Sequence, residues 1–237
     1  MFRPATAASL PDLIPMPAKD FKKSLYEQFA RIGKAFSNAH RIELLEVLAQ
    51  GERTVEALAR TAGLTVANTS QHLQLLRNAG LVSARKEGQF VYYRLADGRV
   101  VDLIVALREL AERHLAEVER LVATYLTVKD ELEPIEAQEL MQRVADGLVT
   151  VLDVRPNEEF EAGHIHGALN IPFDQLEDRL NELQDGRQVV AYCRGPYCMY
   201  AYEAVETLRN AGVDVRRLRE GFPEWKQAGL PVDESAS

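Results

Sequence analysis

Residues 65–95 read TVANTSQHLQLLRNAGLVSARKEGQFVYYRL, and a change of rhythm at Gly80 decides the architecture of the first half of the chain. Before it, Leu73 and Leu76 recur at helical spacing behind Thr65, a good N-cap, and the glycine suits a helix stop. Beyond it, LVSAR, KEGQ and FVYYRLA read as two strands around a glycine-containing loop, the second rich in Tyr and Val. Upstream, VEALARTAG (55–63) is capped by Thr54 and closed by Gly63. Two short helices joined by a tight turn form a helix-turn-helix pattern.

Working outward, the spacing predicts helices over 21–37, with Leu25, Phe29, Ile32 and Phe36 on one face, and over 39–49, stopping at Gln50-Gly51. One long helix is expected over 98–128, carrying Val101, Ile104, Leu107, Leu110, Leu115, Val118, Leu121 and Leu126. A lone helix of that length would expose its apolar stripe, so it is expected to pack on the first helix of a second subunit, giving a homodimer.

The polar run VKDELEP ends in Pro134 and places a linker at 129–134. The pattern then alternates: helix 137–146, strand VTVLDV, an apolar segment at ALNIP, helix 174–183, strand QVVAYC, helix 200–211, strand VDVRRL. Such alternation argues for a parallel sheet flanked by helices. The expected organisation is therefore a flexible arm (1–19), a mainly α domain (20–128), the linker, an α/β domain (135–233) and a short tail (234–237).

The chain has 237 residues, enough for two cores, and 46% hydrophobic with 27% charged residues is the balance of a globular protein. No run of about 18 apolar residues suggests a membrane span. The Pro/Ala/Ser-rich start lacks the apolar centre of a signal peptide, so a cytoplasmic location is expected. The net charge of −8 is uneven: residues 1–130 carry 18 Lys/Arg against 15 Asp/Glu, and residues 131–237 carry 10 against 21. Only the first half has the balance to meet a polyanion. The two cysteines, Cys193 and Cys198, lie close together in the acidic half. In a reducing compartment a close pair is more often reactive or metal-binding than a structural disulfide.

The string SQHLQLLRNAGLV followed by a wing resembles the ArsR/SmtB family of dimeric winged-helix repressors, over about residues 20–127. The resemblance implies a recognition helix that offers Asn68, Ser70, Gln71 and Gln74 to the major groove of double-stranded operator DNA. It implies a wing whose Arg85 and Lys86 meet phosphates or the minor groove. His72 is either a phosphate contact or a packed structural residue. The helix VEALART has no Cys or His where metal-sensing members carry cysteines, and residues 1–192 contain no Cys, so sensing in this half through a cysteine metal site or a thiol pair is not expected; His114 is read first as a surface or dimer-interface residue, with a His114/Glu117 metal site as the weaker alternative.

Three strings in order, VLDVRPNEEFEAGHIHGALNIP, VVAYCRGPYCM and LREGFPEWKQAGLPV, resemble a single rhodanese domain. The resemblance implies that Cys193 is the nucleophile that carries a persulfide, with no other cofactor, and that Arg194, Gly195, Pro196, Tyr197 and Cys198 form its cradle. Backbone N–H groups and a helix N-terminus would stabilise the thiolate there. Asp153 and Arg155 match a family motif and are expected to be mainly a charge pair at the base of the loop, with a lesser role in substrate contact. Cys198 stands where many members carry arginine, which weakens the case for fast use of thiosulfate. Arg194 is the candidate to compensate. Cys198 is expected to act as a resolving thiol, giving a disulfide or longer sulfur bridge, or else as a small buried side chain.

Two functions follow as expectations. One is a DNA-binding regulator, a repressor by family likeness, that senses a small sulfur-containing anion or oxidant through Cys193. The other is a thiosulfate or persulfide sulfurtransferase with an accessory DNA-binding domain.

Overall fold

The computed structural model describes residues 17–127, 134–183 and 186–234. Most of the expected arm and linker, and residues 235–237 of the tail, lie outside the described residues.

The first unit starts with α1 (Ala18–Phe36), reaching into the segment assigned to the arm, and α2 (Ala39–Ala49), capped by the Asn38 side chain. A short strand β1 (Arg53–Thr54) leads into α3 (Val55–Thr61), whose first turn is closed by the Thr54 hydroxyl, 3.2 Å from the Ala57 N–H. The recognition-helix segment is α4 (Val66–Asn78), capped in the same way by Thr65 at Asn68. Gly63 (φ +62°) and Gly80 (φ +78°) take the left-handed conformation that ends each helix. Strands β2 (Val82–Glu87) and β3 (Phe90–Leu95) pair antiparallel, from Val82 opposite Leu95 to Glu87 opposite Phe90, and β1 adds to β3. Leu44, Leu45, Leu58, Leu73 and Leu76 are fully buried in the shared core. Each such side chain stabilises the fold by about 1.5–3 kcal/mol relative to exposure.

The long helix expected over 98–128 is not continuous. It divides into α5 (Arg99–His114) and α6 (Ala116–Val122), followed by a π-helical turn, Ala123–Thr127. Leu115 at the break is extended (φ −112°, ψ 98°). No proline or glycine marks this point. Beyond the break α6 has no buried residue, and Val118 and Val122 line a cavity shared with the second unit.

The second unit opens with Ile135 bridging Leu218, then α7 (Ala137–Ala145), β4 (Val149–Asp153), α8 (Asn157–Ala162), β5 (His164–Ile165) and β6 (Leu169–Asn170). The helix expected over 174–183 is two 3-10 segments, Phe173–Gln175 and Glu177–Leu183, with a non-helical kink at Arg179. Then come β7 (Gln188–Tyr192), α9 (Met199–Asn210), β8 (Val215–Arg217), α10 (Phe222–Gln227) and β9 (Val232–Asp233). The main sheet has the order β6-β4-β7-β8, all parallel, and β5 pairs antiparallel with β9. Strands buried on both faces explain the near-continuous apolar runs VTVLDV and QVVAY. One face packs on α9 through Ala204, Val205 and Leu208, the other on α10 through Phe222 and Trp225.

Candidate functional site

β7 is the second central strand of the sheet, and its end delivers Cys193 to the loop that leads into α9. Cys193 is 2% exposed, and its carbonyl accepts a hydrogen bond from the Phe222 N–H (3.1 Å). The loop turns back on itself: the Cys198 N–H donates to the Gly195 carbonyl (3.1 Å), and the Tyr202 hydroxyl donates to the Pro196 carbonyl (2.9 Å). Cys198 becomes the N-cap of α9, whose opening N–H groups have no acceptor within the helix. The two sulfur atoms meet across the loop as a disulfide, with the Cα atoms 6.2 Å apart. Gly221 presses on the loop from α10's side, where an added Cβ would stand 2.4 Å from the Arg194 carbonyl group and the Gly195 nitrogen.

Beneath the loop lies a buried ionic frame. Both oxygens of Asp153 accept from the Arg155 guanidinium at 2.6–3.1 Å, and neither side chain has any exposed surface. The Tyr192 hydroxyl donates to Asp153 (2.5 Å) and accepts from the Ile165 N–H (3.1 Å). Burial and then the Asp153 charge hold the Tyr192 phenol well above its ordinary range, so it stays a donor. The guanidinium also donates to the Gly163 carbonyl and lies 4.4 Å above the Phe222 ring. Asp153 and Arg155 thus form a fully buried charge pair at the base of the loop, the main role expected of them, and burial leaves the lesser role in substrate contact without support.

Arg194 also needs correction. Its guanidinium forks onto the Glu159 carboxylate at 2.7–3.1 Å, so its charge is not available to replace the missing loop arginine. Burial works against that charge, and Glu159 more than offsets it.

Both the loop and this frame meet the helix-turn-helix unit. Gln50, at the end of α2 and 2% exposed, accepts from Arg155 Nη1 (3.1 Å) and donates to the Arg194 carbonyl (3.2 Å). Arg108 of α5 bridges Glu224 (2.9 Å) and Glu46 (3.3 Å) and faces the Tyr197 ring at 5.7 Å. The Tyr197 hydroxyl bonds Glu112. A cavity of about 310 Å³ remains between the loop and α2, α3 and α5, with Glu43, Glu46, Thr61 and Arg108 on one side and Cys198 and Tyr200 on the other. The rhodanese-type motifs end at their own domain, so Gln50, Glu46 and Arg108 gave no motif signal. Glu159 was visible only as one acid among several in PNEEFEAG.

In the first unit, α4 exposes Asn68, Gln71 and Gln74, whereas Ser70 and His72 are half-buried. His72 Nδ1 is buried without a hydrogen-bond partner among the described residues. Desolvation, then Arg41 and His40, lower its pKa and keep the ring neutral, which fits the packed reading rather than a phosphate contact. In the wing, Lys86 is exposed. Arg85 instead forks onto Glu52 (2.8 and 2.9 Å), also pairs with Glu87, and lies 4.5 Å above the Tyr92 ring. These partners raise its pKa, and with its side chain 52% exposed the guanidinium bridges Glu52 and Glu87 at the surface of the wing.

A helix-turn-helix unit with a hairpin wing, seated on the cysteine loop of a parallel α/β domain, defines a two-domain regulator. Residues 38–84 match the model of the bacterial regulatory protein, arsR family, and residues 136–228 match the rhodanese-like domain. The chain is 48% identical over 217 residues to the HTH-type transcriptional regulator Rv0324 of Mycobacterium tuberculosis, covering 92% of this chain and 95% of that one. It belongs to the ArsR family of bacterial regulatory proteins and carries a rhodanese-like domain. Over 100 residues it is 35% identical to a sulfurtransferase of Allochromatium vinosum, covering 41% of this chain and 92% of that one. A solution structure described as the homodimeric winged helix-turn-helix DNA-binding domain of a possible ArsR-family regulator from Mycobacterium bovis is 41% identical. It covers 44% of this chain and 94% of its own, with a TM-score of 0.39.

Proposed function

We propose that this regulator binds operator DNA as a homodimer and that the sulfur state of Cys193 and Cys198 sets its affinity. One observation carries the reading: the loop holding both cysteines is hydrogen-bonded, through Gln50, to the end of α2 in the DNA-binding unit. Dimerisation is supported by the apolar faces of α1 and α5, where Phe29 is 55% and Leu110 57% exposed.

In the reduced protein, the Cys193 thiolate attacks the outer sulfur of a persulfide R–S–SH. The S–S bond of the donor breaks, Cys193–S–SH forms, and R–S⁻ leaves. The Cys198 thiolate then attacks Cys193 Sγ, forming the Cys193–Cys198 disulfide and expelling HS⁻. The contact between the two sulfurs supports this second step. It gives the loop two covalent states without any bound cofactor.

The test is a binding titration on a duplex selected by the protein from a random pool, before and after treatment with polysulfide, with mass analysis of the Cys193 peptide. Affinity is expected to change in parallel with sulfur at Cys193. Cys193→Ser should abolish both, and Cys198→Ser should keep the persulfide and lose the disulfide. If the double Ser variant still responds to polysulfide, the reading fails.

The likeness to a sulfurtransferase favours a second reading, in which turnover is the function and DNA binding is accessory. Steady sulfur transfer to cyanide or a thiol by wild type, with operator affinity unmoved, would select it.

A further inference from the structure

The cavity over the cysteine loop has walls from two domains, and its charges are arranged unlike those of an anion-binding site. On the loop side, Arg194 is forked onto Glu159. On the other side, Arg108 lies between Glu46 and Glu224, and its side chain is 14% exposed. Both cations at the mouth are therefore already paired with carboxylates. Glu43 and Glu46 line the same cavity from α2, and Glu43 reaches only as far as His40, 3.7 Å away. Around the cavity, four carboxylates (Glu43, Glu46, Glu159 and Glu224) therefore face two guanidinium groups, so an incoming anion meets an excess of negative charge on its way to the wall that carries Cys198, and Cys193 is buried.

The remaining wall is apolar or aromatic: Val47, Met199, Tyr197 and Tyr200. About 310 Å³ is at the small end of the range for ligand sites, and it accommodates a compact organic molecule, not a protein carrier.

We propose that α2 and α5 of the winged-helix unit form the donor-selecting wall of the sulfur site, admitting small persulfides R–S–SH that are at most singly charged and rejecting the thiosulfate dianion. This rests on the reading that Cys193 accepts sulfane sulfur. Selection works through repulsion of the wrong donor as much as through contacts with the right one. With thiosulfate, the Cys193 thiolate would take the outer sulfur and release sulfite, so two negative charges must pass Glu43 and Glu46 and then a third reacts with them. With R–S–SH the same bond forms, R–S⁻ leaves, and the R group lies against the aromatic wall.

The experiment uses the full chain, reduced, without DNA. Sulfur added at Cys193 is followed by mass spectrometry after mixing with cysteine persulfide or with thiosulfate. Wild type is expected to load from cysteine persulfide at least tenfold faster. Glu43→Gln/Glu46→Gln should raise the thiosulfate rate relative to the persulfide rate at least fivefold. Where the Glu46 change disturbs folding, Glu43→Gln alone, at a side chain 46% exposed, should move the same ratio in the same direction. Added salt should also raise the wild-type thiosulfate rate, by screening the two carboxylates. Loading with a rate ratio that neither variant nor salt changes overturns the donor wall and leaves sulfur acceptance standing. No sulfur at Cys193 from either donor overturns both.

Discussion

At Gly221 an added Cβ would stand 2.4 Å from the backbone of Arg194 and Gly195, so the loop beside Cys193 keeps its shape only while that position has no side chain. Its φ of −96° is open to any residue, and the constraint is one of space alone. Gly221→Ala should therefore displace the loop, costing about 1–3 kcal/mol in urea unfolding and slowing sulfur loading at Cys193. A variant with wild-type stability and loading would remove the loop's dependence on this contact. Gln50 works by hydrogen bonds instead. Gln50→Ala strips a partner from a fully buried guanidinium and from the Arg194 carbonyl, an expected loss of about 1–3 kcal/mol by the same measurement. Motif strings located Cys193, Cys198, Asp153 and Arg155, because their chemistry is encoded locally. They missed the Glu159 carboxylate that neutralises Arg194, because that pairing joins residues 35 apart in sequence. Gln50 was read only as the end of a helix, since nothing local reveals that a second domain lies against it.

Among the elements, those with their own caps and stops were legible. Thr54, Thr65, Gly63 and Gly80 closed α3 and α4 where the sequence placed them. The break at Leu115 was not legible, because no helix-breaking residue marks it and the apolar spacing runs on through it. The two 3-10 segments were missed likewise, as their periodicity over so few residues is indistinguishable from one α-helix. The wing shows how packing changes a residue's role: Arg85 is tied to Glu52 and Glu87, and Lys86 beside it stays exposed. Gln71→Ala on α4 should relax operator discrimination by about 1–3 kcal/mol, whereas Lys86→Ala should weaken all duplexes alike and flatten the salt dependence. Salt-dependent titrations on selected and scrambled duplexes read both, and wild-type behaviour of both variants would remove α4 and the wing from the interface.

For the whole molecule, the alternating pattern and the charge asymmetry predicted two cores, and neither hinted that one would cover the reactive loop of the other. The apolar faces of α1 and α5 remain exposed in the single chain, with Phe21 at 60% and Leu110 at 57%. Light scattering at micromolar concentration should give the mass of a dimer, with the two α4 helices about 34 Å apart to match successive major grooves. Leu107→Glu/Leu110→Glu should yield monomers with little operator affinity, and a wild-type monomer would rule out the arrangement. The roof over the cysteines has a consequence in time. Cys193, 2% exposed in its disulfide and roofed by a second domain, is reached only as the cavity between them breathes, so reaction there is limited by an opening rate. Plots of loading rate against donor concentration should bend to a plateau, and that plateau should be the same for chemically different small persulfides, the donors that the wall admits. The delay acts in both directions: a reductant must wait for the same opening, and the protein would hold a record of exposure after the donor has gone.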